Sequence, residues 1–81
     1  MSTPQTYSER VAAEVRAQAA RLGKDVGDIA AILSVSRPTA SARWSGRQGY
    51  SLDELDAIAT ALAVPVASLV LPDPAPAASA A

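Results

Sequence analysis

Apolar residues recur along the chain at intervals of three and four positions, which is the spacing of amphipathic helices. Thr6 and Glu9 form a capping-box pattern ahead of the first such run, and Gly23 follows it. We therefore predict a first helix over residues 7–22. Its apolar face consists of Val11, Val15, Ala19 and Leu22.

A second, shorter helix is predicted immediately after Asp25, a residue type that favours the N-cap position. This helix ends near Leu33, and a short turn, "SVS", follows it. The apolar face is made of Val26, Ile29, Ala30 and Leu33.

The third helix is predicted over residues 37–45, with Gly46 favouring its end. Proline is tolerated in the first turn, where its missing N–H would have no intrahelical acceptor, so Pro38 indicates the start. The residue before a proline avoids helical geometry, and either Ser36 or Arg37 can therefore be the N-cap.

Ser51 and Glu54 form another capping-box pattern ahead of a fourth helix. Pro65 is predicted in the first turn of a short fifth helix carrying Val66, Leu69 and Val70, which Pro72 ends. The apolar face of the fourth helix is the most regular in the chain and consists of Leu52, Leu55, Ile58, Ala59 and Leu62.

Five short helices with tight connections and no strand pattern predict an all-α fold, a compact five-helix bundle. A short second helix joined to a third by a tight turn predicts a helix-turn-helix. We divide the chain into a flexible N-terminal arm (residues 1–6), the helical domain (residues 7–71) and a disordered tail rich in proline and alanine (residues 72–81).

The composition excludes several kinds of chemistry. The chain contains no cysteine and no histidine, which excludes disulfides, thiolate or imidazole zinc sites and histidine-activated nucleophiles. Three acids lie at the start of the fourth helix, where they interact favourably with the helix dipole, so we do not interpret them as a metal site. They are Asp53, Glu54 and Asp56. We expect no enzyme activity and no cofactor.

The start lacks a signal-peptide pattern and no apolar run is long enough to span a bilayer, so we expect a cytoplasmic protein without membrane association.

The charge is distributed unevenly although the net charge is only −1. No acidic residue lies between Asp28 and Asp53, and Arg37, Arg43 and Arg47 fall in that interval. This predicts a local positive field at the third helix. Arginines on a helix are also typical of a plain solvated face, so the charges alone do not decide the function. Trp44, in the same stretch, is predicted to anchor the core.

The segments "DIAAILSVSRPTASARWSGR" and "SLDELDAIATALAVPVASL" together resemble the lambda-repressor-like (Cro/CI-type, XRE) helix-turn-helix family. The resemblance covers about residues 11–71. It implies that Ala30 lies at the close crossing of helices 2 and 3, that Val35 fills the core and that Ser36 caps the recognition helix. Ser34 stands where the family usually has glycine, so it must adopt a positive φ or reshape the turn.

The resemblance also implies a DNA-binding surface. The N-terminal end of helix 3 is expected to face base edges in the major groove, where the fork of Arg37 can bond O6 and N7 of a guanine. For Tyr50, a phosphate hydrogen bond and simple loop packing are open alternatives. The expected base contacts are Arg37, Pro38, Ser41 and Ala42. The expected backbone contacts are Ser36, Thr39, Arg43, Arg47, Tyr50 and Ser51.

The function implied is that of a sequence-specific double-stranded DNA-binding regulator, a small phage- or bacterial-type Cro-like repressor with no small-molecule ligand. Helix 5 carries more apolar residues than one inward face buries, so we expect a homodimer through it, either free or only on DNA. One face is expected on helix 4, through Leu62 and Leu69, leaving Val66 or Val70 for the partner. The alternative is a protein-interaction module, such as an antitoxin or a regulator's partner, that uses helix 5 and the tail.

Overall fold

Five α-helices make up most of the part of the chain that the computed structural model describes, residues 6–70. The helices are α1 (Tyr7–Arg21), α2 (Val26–Leu33), α3 (Arg37–Ser45), α4 (Leu52–Leu62) and α5 (Ala67–Val70). Residues 6–70 contain no strand, which confirms the all-α prediction there. No helix among them combines the length and apolar character needed to cross a membrane. The predictions for residues 1–5, for the tail and for Pro72 lie outside the described residues.

Capping boxes determine where three of the helices begin. In each, the side chain of the N-cap residue accepts a hydrogen bond from the N–H of the third helical residue. The carboxylate of that third residue in turn accepts one from the N–H of the N-cap residue, at 2.7 to 2.9 Å. Such a cap stabilises a helix by about 1 kcal/mol. The pairs are Thr6 with Glu9 for α1, Asp25 with Asp28 for α2, and Ser51 with Glu54 for α4.

The core lies where α1, α2, α4 and α5 meet, and α3 packs across α1 and α2. Trp44 of α3 is partly buried against this core, as predicted. Ala40 is fully buried, and its small side chain allows α3 to pack closely. The core side chains are Val11, Val15, Ile29, Leu55, Ile58, Ala59, Leu62 and Leu69.

Two leucines assigned to apolar faces by their spacing are in fact exposed. Leu22 is 53% exposed and Leu52 is 81% exposed. Leu22 is the C-cap of α1 and Leu52 is the first residue of α4, so both lie at helix ends. Ala12, which the spacing did not include, is fully buried instead.

The connection between α2 and α3 is three residues long, 34–36. Ser34 adopts the left-handed conformation with φ of 57°, so it tolerates the positive φ expected at this position, at a cost of about 1–2 kcal/mol. The Val35 N–H closes the end of α2 by donating to the Ala30 carbonyl at 3.0 Å. Val35 itself, expected in the core, lies in this connection rather than on a helix face, is only half-buried and is outside the core cluster.

The fifth helix begins later than predicted and is attached differently. Pro65 lies two residues before α5 rather than within its first turn, and its carbonyl accepts the Ser68 N–H at 2.9 Å. The helix packs mainly on α1 rather than on α4, and the Tyr7 hydroxyl donates to the Val70 carbonyl. Leu69 is nevertheless fully buried in the common core.

Candidate nucleic-acid interface

The start of α3 is fixed by Ser36. Its Oγ accepts the Thr39 N–H at 3.3 Å, and its hydroxyl donates to Thr39 Oγ1 at 2.9 Å. Ser36 is therefore the N-cap, which decides between the two predicted alternatives, and Arg37 is the first helical residue. Pro38 comes second, where the absence of its N–H leaves no helical bond unmade.

The outer surface of this helix end carries most of the residues predicted to contact bases. Arg37, Pro38 and Ser41 are exposed, and Ala42 is half-buried. Arg37 and Ser41 are four residues apart and therefore lie one above the other on the same face. Since Ala40 of the same helix is fully buried, packing determines which face of α3 is exposed. The structure thus brings Arg37, Pro38 and Ser41 together at an accessible helix end.

Arg43, predicted to contact the DNA backbone, is engaged inside the fold. Its Nε donates to Oε1 of Glu54 in α4 at 2.7 Å, and the two side chains are only 18% and 19% exposed. Burial acts to raise the pKa of Glu54, but the hydrogen bonds from Arg43 and from the Ser51 N–H outweigh it and the pKa is lowered. Arg43 thus links α3 to α4, and only the rest of its guanidinium is available to a phosphate.

Arg16 of α1, which the sequence did not single out, supports the other end of α3. Its Nη1 donates to the Trp44 carbonyl at 2.5 Å. A cation at this end complements the negative end of the helix dipole and satisfies one of the last carbonyls. Together, Arg16 and Glu54 hold the C-terminal half of α3, while its N-terminal end projects outward.

The loop after α3 exposes Arg47. Its N–H donates to Ser45 Oγ at 3.4 Å, and its side chain makes no ion pair within residues 6–70. The loop passes close to α1 at Gly46, which has φ of 89° and where an added Cβ would lie 3.0 Å from Cα of Glu9. Arg47 is therefore an exposed cation on a loop with a fixed path.

Tyr50 is placed differently from a phosphate-binding residue. Its hydroxyl is buried and has no hydrogen-bond partner within the described residues. Burial raises the pKa of Tyr50 to about 12. The loop-packing alternative fits this arrangement, and a backbone contact by the Tyr50 hydroxyl does not, because that oxygen does not reach the surface.

The remaining predicted backbone contacts use their polar groups in capping. Ser51 donates its N–H to Glu54 at 2.9 Å and accepts the Glu54 N–H at 3.1 Å. Ser36 and Thr39 bond to each other as described above, and Thr39 is half-buried. Any contact of these residues with a phosphate would therefore be made beside an existing cap.

An apolar groove lies away from the start of α3, between α1, α4 and α5. Its volume is about 260 Å³. Tyr50 lines it, and so does the strongly exposed Leu52. The other apolar side chains around it are Tyr7, Val11, Leu55, Val66 and Val70.

Metal-binding side chains do not gather within the described residues. No group of three or more histidine, cysteine, aspartate or glutamate side chains there is arranged to hold a metal ion. Asp53 and Glu54 lie in the first turn of α4, where they complement the helix dipole.

Comparisons of the chain with known protein families, with curated proteins and with solved structures give no match.

Proposed function

We propose that the protein is a sequence-specific double-stranded DNA-binding regulator, a small Cro-like repressor that reads the major groove with α3. The observation that carries this proposal is the exposed start of α3, where Arg37, Pro38 and Ser41 project around the Ser36 cap. The dimensions of an α-helix match the major groove, and residues at the helix start are those that reach base edges.

In this proposal, α2, residues 34–36 and α3 form a helix-turn-helix. Support comes from the packing of α2 on α3 and from the three-residue connection between them. The left-handed Ser34 allows the sharp change of direction that such a connection needs.

The charges support a division of roles. α1, α2 and α4 each have an acid in the first turn, whereas α3 has none and begins with Arg37. A duplex would therefore meet no carboxylate from α3 itself, and the exposed Arg47 can contact a phosphate. In this scheme Arg37 reads a base, Arg47 positions the protein on the backbone, and Arg43 contributes less because Glu54 already pairs with it.

We further propose that two copies bind one operator. A single α3 with one base-reading arginine gives limited specificity, whereas two copies can read half-sites about one helical turn apart. Val66 and Val70 are partly buried and line the apolar groove, where a second copy can cover them. The groove is small, which favours a dimer that forms on DNA.

Duplex binding measured against salt concentration tests this proposal. With a fluorescein-labelled random duplex, the logarithm of the association constant should fall linearly with the logarithm of salt concentration. Arg47→Ala should lower the slope by about one unit. Arg21→Ala is the control, since Arg21 is an exposed cation in the last turn of α1 and does not line the groove. Absence of salt-dependent binding to any duplex would overturn the proposal.

The second candidate function is a protein-interaction module, and the groove with the exposed Leu52 favours it. If the protein is a module of this kind, its binding to duplex DNA should be weak and should not depend on Arg37 or Arg47. Arg47→Ala separates the candidates, because it should weaken duplex binding if the first is right and leave the capture of a protein partner at the groove unchanged if the second is right.

A further inference from the structure

The guanidinium of Arg37 lies against the start of α2, across Gly27. A Cβ added to Gly27 would be 3.5 Å from Nη1 of Arg37 and 3.8 Å from its Cζ. The same Cβ would be 3.2 Å from Oδ1 of Asp25. The cation and the carboxylate therefore border the same small space, which exists because residue 27 has no side chain.

The carboxylate of Asp25 is held in place by the backbone. Its Oδ1 accepts the Gly27 N–H at 2.9 Å and the Asp28 N–H at 3.2 Å. The pKa of Asp25 is lowered, mainly by the hydrogen bond from the Asp28 N–H. Desolvation acts to raise this pKa but is outweighed, and the charge of Arg37 also acts to lower it. Asp25 is thus a fixed negative charge at neutral pH.

The helix that carries Arg37 does not favour a cation at that position. Arg37 is the first residue of α3, where the positive end of the helix dipole lies, and α3 has no acid in its first turn. The nearby carboxylate belongs to a different helix: it is that of Asp25, the N-cap of α2, whose pKa the charge of Arg37 helps to lower.

The backbone of α2 does not require glycine at position 27. Gly27 is the second residue of α2 and has no positive φ, so residues with a side chain can adopt its backbone conformation. What glycine provides here is the space that the Arg37 head group borders.

We infer that Asp25 and Gly27 are positioning residues for Arg37, which orient its guanidinium for reading one base. Arg37 and Asp25 interact through their charges and do not form a direct ion pair. Within residues 6–70, the ion pair is that of Arg43 with Glu54. The N–H donors of Arg37 therefore stay available to a guanine. The inference rests on the proposed function for its consequence in DNA reading, but the positioning itself is a property of the free protein.

The first experiment needs no DNA. NMR relaxation of the Arg37 Nε–H reports how restricted the side chain is, and Asp25→Asn should lower its order parameter. Asparagine caps helices as well as aspartate does, so the melting temperature should stay close to that of the wild type. Asp53→Asn is the matched control, since it removes an exposed carboxylate from the first turn of α4. An order parameter unchanged in Asp25→Asn would overturn the inference.

The second experiment measures base discrimination on the site that the wild type prefers. The ratio of affinities for a guanine and for another base at the Arg37-dependent position should fall at least about threefold in Asp25→Asn. Affinity for random duplex should rise, because a negative charge near the phosphates is lost. The Asp25→Asn change should have no further effect on this ratio in an Arg37→Ala background.

Gly27→Ala provides an independent variant. The added methyl intrudes between Asp25 and Arg37, so base discrimination should fall even though alanine favours the helix. A purely structural role would change stability and leave the discrimination ratio intact, which would contradict the inference. If the wild type shows no base preference at all, the proposed function fails, and the NMR experiment still decides the positioning.

Discussion

Nε of Arg43 in α3 lies 2.7 Å from Oε1 of Glu54 in α4, and the same oxygen accepts the Ser51 N–H at 2.9 Å. One carboxylate oxygen therefore both caps α4 and attaches α3 to it. Both side chains of the pair are mostly shielded from solvent, so the interaction is screened less than a surface ion pair. The orientation of α3 thus depends on a residue of another helix.

Glu54→Gln should destabilise the protein. The loss of the charge weakens both the contact with Arg43 and the cap, and we expect the free energy of unfolding to fall by about 1–2 kcal/mol. Urea unfolding at pH 7 measures this change. The neighbouring Asp53→Asn, at an exposed position, should stay within about 0.5 kcal/mol of the wild type. Equal unfolding curves for the two variants would show that the pair contributes nothing.

The same pair predicts how stability responds to acid. Because the pKa of Glu54 is lowered in the folded protein, its contribution is complete above the usual value of 4.5 and is lost as pH falls through the folded pKa. Stability measured from pH 7 down to pH 3 should therefore fall less steeply in Glu54→Gln than in the wild type. Parallel curves would contradict the assignment.

Tyr50→Phe should leave the fold as stable as the wild type or stabilise it by up to about 1 kcal/mol, since the change removes a buried hydroxyl without a hydrogen-bond partner in the described residues. Burial raises the pKa of Tyr50 from 10.0 to about 12, so the wild type should lose more stability than the variant as pH rises above 10. Duplex affinity should not change. A clear loss of affinity would restore the phosphate contact.

Two glycines with positive φ provide a matched test of the loop after α3. Gly23→Ala meets open space and should cost only the conformational strain, about 1–2 kcal/mol. Gly46→Ala also brings a methyl to 3.0 Å from Cα of Glu9, so it should cost at least about 1 kcal/mol more in thermal or urea unfolding. Equal losses would mean that the loop can move away from α1.

The helices themselves were largely predictable because their signals are local. A cap side chain and an acid three residues later mark the start of α1 and of α4, and the predicted bounds of α3 agree with the structure. The spacing of apolar residues did not predict burial at two helix ends, where Leu22 and Leu52 are exposed. The left-handed Ala63 that ends α4 has no sequence signal, since alanine rarely adopts that conformation.

The surroundings of the candidate site were less predictable because they depend on how helices cross. Arg43 and Glu54 are 11 residues apart, and Arg16 and Trp44 are 28 apart, so no local pattern connects them. Both contacts arise only when α1 and α4 pack beside α3. The exposed start of α3 was predictable, since its cap, its proline and its lack of acids are all local.

Selection of bound sequences from a random duplex pool, made in parallel with the wild type and with Arg37→Ala, shows whether α3 reads DNA through Arg37. We expect the wild type to enrich a site with a fixed guanine, repeated as inverted half-sites about one helical turn apart. Arg37→Ala should lose the preference at that position alone, with affinity for the site reduced by about 1–3 kcal/mol. If the wild type enriches no sequence, or if both proteins enrich the same one, then α3 does not read DNA through Arg37.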